Sequence, residues 1–263
     1  MEEPAMVIRR IRNHVAEHNW FAVAIDFLIV VAGIVIGTQV NNWNQARIEH
    51  QQGAEYRKRL IAELQSNHVH NDDRRKYWNR VRDHAHSALA QIQKPSGDDR
   101  QFLLDAYQAS QIRTSQPKRF AYDELISTGR LEEIGNAKLQ DEVSGYYIAL
   151  PTYGAVLDAV TPYREHLRQV MPSAAQEAVR SQCAEIYYPG PEGSPFARLP
   201  DRCSLSMDDS IVRTAAAAVR NAPGIVEDLN RLIADLDVKL STLVAVDDHA
   251  RRVEALIEKA GGN

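Results

Sequence analysis

The chain is 263 residues long with a formal net charge of −4, and it is 44% hydrophobic, 25% charged and 7% aromatic. That length allows one sizeable domain or two small ones beside any membrane segment, and the apolar share is too high for a disordered tail. The mildly acidic balance speaks against a nucleic-acid partner, which calls for a basic surface.

The first element is the run WFAVAIDFLIVVAGIVIGTQVNNWN, Trp20 to Asn44. From Trp20 to Val40 the strongly polar side chains are Asp26, Thr38 and Gln39. As a helix rising 1.5 Å per residue, this stretch covers about 31 Å, close to the ~30 Å of bilayer hydrocarbon. Trp20 and Trp43 flank it as interfacial anchors. A cleaved signal peptide has a shorter apolar core, roughly 7–15 residues, followed by small residues at the cleavage site. Here the run is longer and ends in Gln39-Val40-Asn41-Asn42-Trp43, so an uncleaved transmembrane helix over 20–41 is expected after a short cytoplasmic segment, 1–19. Arg9, Arg10 and Arg12 precede the span and only Arg47 closely follows it, which favours a cytoplasmic N-terminus. Counting on to Arg57, Lys58 and Arg59 narrows that bias.

Asp26 lies roughly 9 Å into the span, where an ionised carboxylate is costly unless protonated, paired or turned toward another helix. Gly33 and Gly37 form a G-x-x-x-G step that lets two helix backbones approach closely. The spacing places Asp26, Gly33 and Gly37 near one helical face. Two readings follow: a seam for self-association or for a membrane protein partner, or glycines of the kind common in membrane helices beside an acid tolerated at shallow depth.

Beyond the span, a stalk and first bundle helix are expected over 42–97. The segment turns polar on all sides at QSNHVHNDDRRK and regains apolar positions at Tyr77, Trp78 and Val81. Lys94-Pro95-Ser96-Gly97 stops it. A helical domain over 98–263 should follow. Asp98 or Asp99 caps a short helix, another starts near Pro117 and stops at Gly129, and Asn136 caps a third that Pro151 and Pro162 interrupt or kink. Cys183 and Cys203 bracket a Pro/Gly-rich loop at 184–202, a non-helical excursion suited to a disulfide in an oxidising compartment or to free thiols in a reducing one. After Pro223, apolar residues recur at 225, 229, 232, 236, 240, 243, 246, 250, 253 and 257, the stripe of a long helix with one buried face. No strand-like alternation rivals it. The expected fold is all-α, with the N-terminal transmembrane helix continuing into an elongated extracytoplasmic helical bundle.

Two stretches, IDFLIVVAGIVIGTQVNNWNQAR and FAYDELISTGRLEEIGNAKLQDEVSGYY, resemble a family of bacterial single-pass membrane proteins catalogued as a domain of unknown function. The first is similar to its acid-containing anchor followed by Asn-Asn-Trp-Asn, with Asp26 where the family often has Glu. The second is similar to its short helix, Ser/Thr-Gly turn and helix ending in paired tyrosines. The resemblance implies a single-pass helical membrane protein of bacteria and supplies no catalytic residues. With the orientation read from the flanking charges, the expected place is the inner membrane with the helical domain in the periplasm.

Candidate chemistry is sparse. His68-x-His70 and His84-x-His86 invite a metal, but helical ligand pairs need i, i+4 spacing, and solvated polar faces are the plainer reading. RRKYWNRVR mixes cations and aromatics, yet Tyr77, Trp78 and Val81 at helical spacing read as core. There is no Gly-x-Ser-x-Gly elbow and no phosphate-cradling glycine loop. The reading is a membrane-anchored, non-enzymatic interaction or scaffold module whose partners are the lipid bilayer and a second membrane helix. A ligand-sensing module signalling through a membrane partner is the alternative, with a membrane-tethered hydrolase or metalloprotein behind it. No catalytic residue, metal or cofactor is assigned.

Overall fold

The computed structural model describes residues 20–95 and 97–262. The chain is 78% helical with one short two-stranded sheet, so the protein is all-α. It divides into two compact units at Gly53–Ala54. The first helix, α1 (Trp20–Gln93), supplies residues to both.

In the first unit the helix is apolar and bare. Phe27, Leu28, Ile29, Ile34 and Ile36 are all exposed. Among the described residues, α1 is the one helix long and apolar enough to cross a membrane, which makes it a candidate single span. The Thr38 hydroxyl donates to the Val35 carbonyl at 2.9 Å, so it brings no unpaired group into this stretch. The 1–19 segment and the Trp20 side chain lie outside the described residues.

The second unit is a helical bundle. It comprises the remainder of α1, then α2 (Asp99–Ala109), α3 (Phe120–Ser127), a 3₁₀ turn (Leu131–Ile134), α4 (Ala137–Leu157), α5 (Pro162–Val170) and α6 (Ser173–Gln182). A hairpin of β1 (Ile186–Pro189) and β2 (Pro195–Arg198) precedes α7 (Asp209–Arg220) and α8 (Ile225–Gly261). Its strands are antiparallel, with Ile186 opposite Arg198 and Pro189 opposite Pro195. Local sequence explains most boundaries. Asp98 accepts from the Gln101 N–H at 3.0 Å, and Asn136 accepts from the Leu139 N–H at 3.1 Å, each filling an orphan donor at a helix start. Gly129 and Gly224 adopt φ of +68° and +83°, ending α3 and starting α8. Pro162 takes the first position of α5, where its missing N–H costs nothing, whereas α4 runs on through Pro151.

All ten positions of the α8 stripe, Ile225 through Ile257, are buried. The helix runs antiparallel to α1: Arg82 meets Asp237, and His68 meets Asp247 and Glu254. Two apolar clusters result. One gathers Tyr56, Leu60 and Leu64 with α3, α4 and the distal half of α8. The other gathers Tyr77, Trp78 and Val81 with α2, α5, α6, α7 and the proximal half of α8. Tyr153 borders both.

Four expectations need adjustment. The unit boundary at Gly53–Ala54 falls inside the 42–97 segment, and residues 54–93 belong to the same unit as 98–262, because from Tyr56 onward the helix buries a face in the shared core. Helix α3 begins at Phe120 rather than near Pro117. The Asn67 amide donates to the Lys118 carbonyl at 2.9 Å and accepts from its N–H at 2.7 Å, which holds that backbone out of a helix. The 184–202 loop contains the hairpin. Helices α5, α6 and α7 were not anticipated, although Pro162 and the Asp208 cap of α7 mark two of their starts.

The aromatic anchor of the second cluster is Trp78, buried with the Arg74 guanidinium 4.6 Å from its ring centroid and Lys239 Nζ at 5.3 Å. Trp78→Ala should lower unfolding free energy by about 3–5 kcal/mol. Phe120→Ala, at a side chain 76% exposed, should change it by less than about 0.5 kcal/mol. Denaturant midpoints of the two variants check this contrast.

Candidate functional site

Between the two apolar clusters the α1 sequence QSNHVHNDDRRK is polar on every side, yet Ser66, Asn67, Asp73 and Arg74 are buried. Buried polar and charged groups destabilise a fold unless they find partners. For Asn67, Asp73 and Arg74 the partners come from the end of α4, the loop after α2 and the hairpin, while the Ser66 hydroxyl has none among the described residues. Arg74 donates to Asp158 at the end of α4 at 2.7 Å. Asp73 pairs with Arg113 at 2.7 Å and accepts from the Tyr188 hydroxyl at 2.6 Å. Lys239 of α8 donates to the Ala159 carbonyl at 2.5 Å. Burial lowers both the Arg74 and the Lys239 pKa; the positive charge of Arg74 lowers Lys239 further, while Asp158 opposes the shift in each.

His68 and His70 border this network, His84 belongs to a separate cluster around Asp105, and His86 is exposed. His68 Nδ1 lies 3.1 Å from Asp247 and its Nε2 lies 3.4 Å from Glu254. Asp247 also accepts from Asn71 at 2.9 Å and Arg75 at 3.3 Å. His70 contacts the Ser66 carbonyl at 2.7 Å and meets Phe196 edge-on. His84 reaches Asp105 at 2.7 Å, a buried carboxylate that also accepts from Ser87, Gln91 and Gln101. The reading of these faces as solvated is therefore corrected for His68 and His84, because neighbouring helices cover them and supply the partners. Among the described residues, no three His, Cys, Asp or Glu side chains are gathered as a metal set. The cavity beside Asn67, His70, Arg74 and Tyr146 is about 20 Å³, the room of roughly one water. At that point the layer is closely packed, and its ion pairs hold α1 to α8 and to the end of α4.

The sequence-derived site residues lie elsewhere. Asp26, Gly33 and Gly37 are exposed on the first unit, and a Cβ added at either glycine would meet nothing within 4 Å. Trp43 is exposed as well. Cys183 and Cys203 are joined by a disulfide with Cα atoms 5.8 Å apart, closing the base of the hairpin loop. Closing a loop of this size restricts the unfolded chain and contributes about 3 kcal/mol. The Gln108 amide also donates to the Cys183 carbonyl at 2.8 Å, tying the loop base to α2.

Two open clefts flank the bundle. One, about 400 Å³, mixes Asp73, Lys76, Arg80, Asp83 and Asp201. The other, about 510 Å³, brings together Arg164 and Arg168 of α5 and Arg180 of α6. Sequence reasoning missed this cluster, although Arg164 and Arg168 stand four apart on one face of a short amphipathic helix. Asp158, Asp247 and Glu254 were also missed. Asp247 directly follows a stripe position, Val246, and nothing local distinguishes it from a solvated acid.

His68 carries a pH dependence. Its hydrogen bond to Asp247 raises its pKa against the opposing effect of burial, and the Glu254 charge adds to the rise. Burial pushes the Asp247 carboxyl up, but the hydrogen bonds from His68 and Asn71 and the Arg75 charge prevail and hold it low. A raised histidine contributes stability that is fully present below the ordinary 6.5 and is lost as pH climbs through its folded value. A lowered aspartate contributes stability present above the ordinary 3.8 and lost as pH falls through its folded value. The pair is therefore strongest between those two ordinary values. In an NMR titration the His68 midpoint should lie above that of free imidazole and should drop in Asp247→Asn; equal midpoints in the two proteins would refute the coupling.

No family model, curated protein or solved structure matches this chain.

Proposed function

We propose that the protein is a bacterial inner-membrane protein anchored by residues 20–41, with residues 1–19 in the cytoplasm and the helical unit in the periplasm. It acts as a non-enzymatic interaction or scaffold module. One observation carries this reading: the apolar stretch of α1 is left bare while the α8 stripe is fully buried. A soluble protein rarely exposes a contiguous apolar surface of that extent, so lipid is the covering that suits it. The Cys183–Cys203 disulfide supports an oxidising compartment for the bundle. The arginines before the span support the same orientation.

The partner we propose for the span is a second copy of itself. Gly33 and Gly37 offer a smooth strip with open space above both, and Asp26 lies near the same face by helical spacing. Two such faces in contact would let each Asp26 hydrogen-bond within the pair instead of facing lipid alone. The module is then a dimer, or a subunit of a larger membrane assembly, presenting its helical bundles for recognition.

A C-terminal alkaline phosphatase fusion should be active, a C-terminal cytoplasmic fluorescent reporter should be dark, and the chain should stay in the membrane fraction after a salt wash. A silent phosphatase fusion with a bright fluorescent one, or release of the intact chain into the aqueous fraction, refutes the anchor. Replacing Gly33 and Gly37 together with Ile should weaken self-association in a membrane assay by about tenfold, which corresponds to roughly 1.4 kcal/mol, because the added side chains hold the two backbones apart. Unchanged association removes the seam while leaving the anchor intact.

A further inference from the structure

The cleft at Arg164, Arg168 and Arg180 has an electrostatic composition unlike the polar layer of the bundle. In that layer, cations meet carboxylates: Arg74 meets Asp158, and Arg113 meets Asp73. In the cleft, none of the three arginines makes an ion pair among the described residues. Arg164 donates to the Ser110 carbonyl at 2.5 Å and Arg168 to the Ser110 hydroxyl at 2.8 Å, so both guanidinium groups are positioned by neutral acceptors. The Arg168 plane lies over the Tyr107 ring, 3.7 Å from its centroid, which fixes its orientation. Its Nε is buried without a hydrogen-bond partner.

One acid, Glu185, lines the same cleft, but its two oxygens accept from the Tyr77 and Tyr187 hydroxyls. Burial lowers the Arg168 pKa, the Tyr107 hydroxyl opposes that shift, and the like charges of Arg164 and Arg180 lower it further, the direction expected where cations outnumber the acids near them. Three guanidinium forks, each with unspent N–H donors, match the oxygens of a phosphate or carboxylate group. The volume, about 510 Å³, falls in the range of small-molecule sites, roughly 300–1,000 Å³. The disulfide fixes the wall that Cys183, Glu185 and Tyr187 contribute.

We propose that this cleft binds a small oxyanion, a phosphate- or carboxylate-bearing molecule, held by Arg164, Arg168 and Arg180. Arg168 is the oriented fork at the cleft wall, and exposed Arg180 closes on the ligand from α6. A binding module of this kind is independent of how the chain is anchored.

The full-length chain in detergent, kept in chloride buffer at constant ionic strength, is titrated separately with inorganic phosphate and with succinate, by calorimetry and by thermal melting. Either anion should bind saturably and raise Tm beyond sodium chloride. Phosphate alone marks a phosphoryl ligand; response to both marks general oxyanion recognition. Arg180→Gln should weaken binding at least tenfold while leaving the ligand-free Tm unchanged, and Arg180→Lys should restore part of the affinity. Arg164→Gln should weaken binding to a similar degree with some loss of ligand-free Tm, because it also gives up its bond to the Ser110 carbonyl. No saturable binding of either anion, or equal affinity in the Arg164→Gln/Arg180→Gln double variant, overturns the proposal.

Discussion

The Arg74 guanidinium enters the bundle interior with its charge intact, and the surrounding helices are held to positions that satisfy it. Asp158 at the end of α4 supplies the counter-charge, Trp78 one turn along supplies the ring face, and Lys239 of α8 approaches the same ring. Arg74 is buried while Asp158 is half-exposed, so removing the acid leaves an unpaired buried charge at a cost that solvent near Asp158 partly screens. A slip of α4 or α8 along α1 by one turn would impose that kind of cost. The pair of Asp247 with His68 holds α8 to the same register independently, and the pair of Asp73 with Arg113 ties the loop after α2 to α1. The apolar clusters on either side supply the driving force for assembly, and the polar layer between them decides which assembly forms.

Apolar surface in this chain is handled in two ways. In the second unit it is removed from water by helices that cover one another, as the stripe on α8 and the cluster around Tyr146 and Tyr147 illustrate. Glu63 secures that cluster, accepting from the Tyr147 hydroxyl at 2.6 Å and the Ala121 N–H at 2.8 Å. In the first unit the apolar side chains stay exposed, which is why this stretch is a candidate membrane span. The FAYDELISTGRLEEIGNAKLQDEVSGYY segment belongs to the first kind: Tyr122 stacks on Tyr147 at 4.4 Å, and Leu125, Ile134 and Val143 are buried beside them.

Legibility in the sequence followed the range of the interaction. The α8 stripe, the caps at Asp98 and Asn136 and the stop at Gly129 depend on residues a few positions apart, and each could be read directly. The start of α3 could not, because its position is decided by Asn67, 51 residues away in sequence. His68 and His84 were misread as solvated for the same reason: His68 finds its partner 179 residues on and His84 finds its partner 21 residues on, whereas His86 is exposed as expected. The arginine cleft combines a legible part, the i, i+4 pair on α5, with Arg180, which only the fold brings alongside.

The all-α class, the long apolar helix near the start, the buried stripe near the end and the closeness of the two cysteines around a Pro/Gly-rich loop were determined by the sequence itself. Each rests on local periodicity or on residues that limit the backbone. The tertiary structure decided which polar residues of α1 are buried, which distant acids pair with them and which cations gather without an ion pair of their own among the described residues. Those outcomes depend on Coulomb and hydrogen-bond partners that become neighbours only after the helices have packed, and no spacing along the chain encodes that proximity.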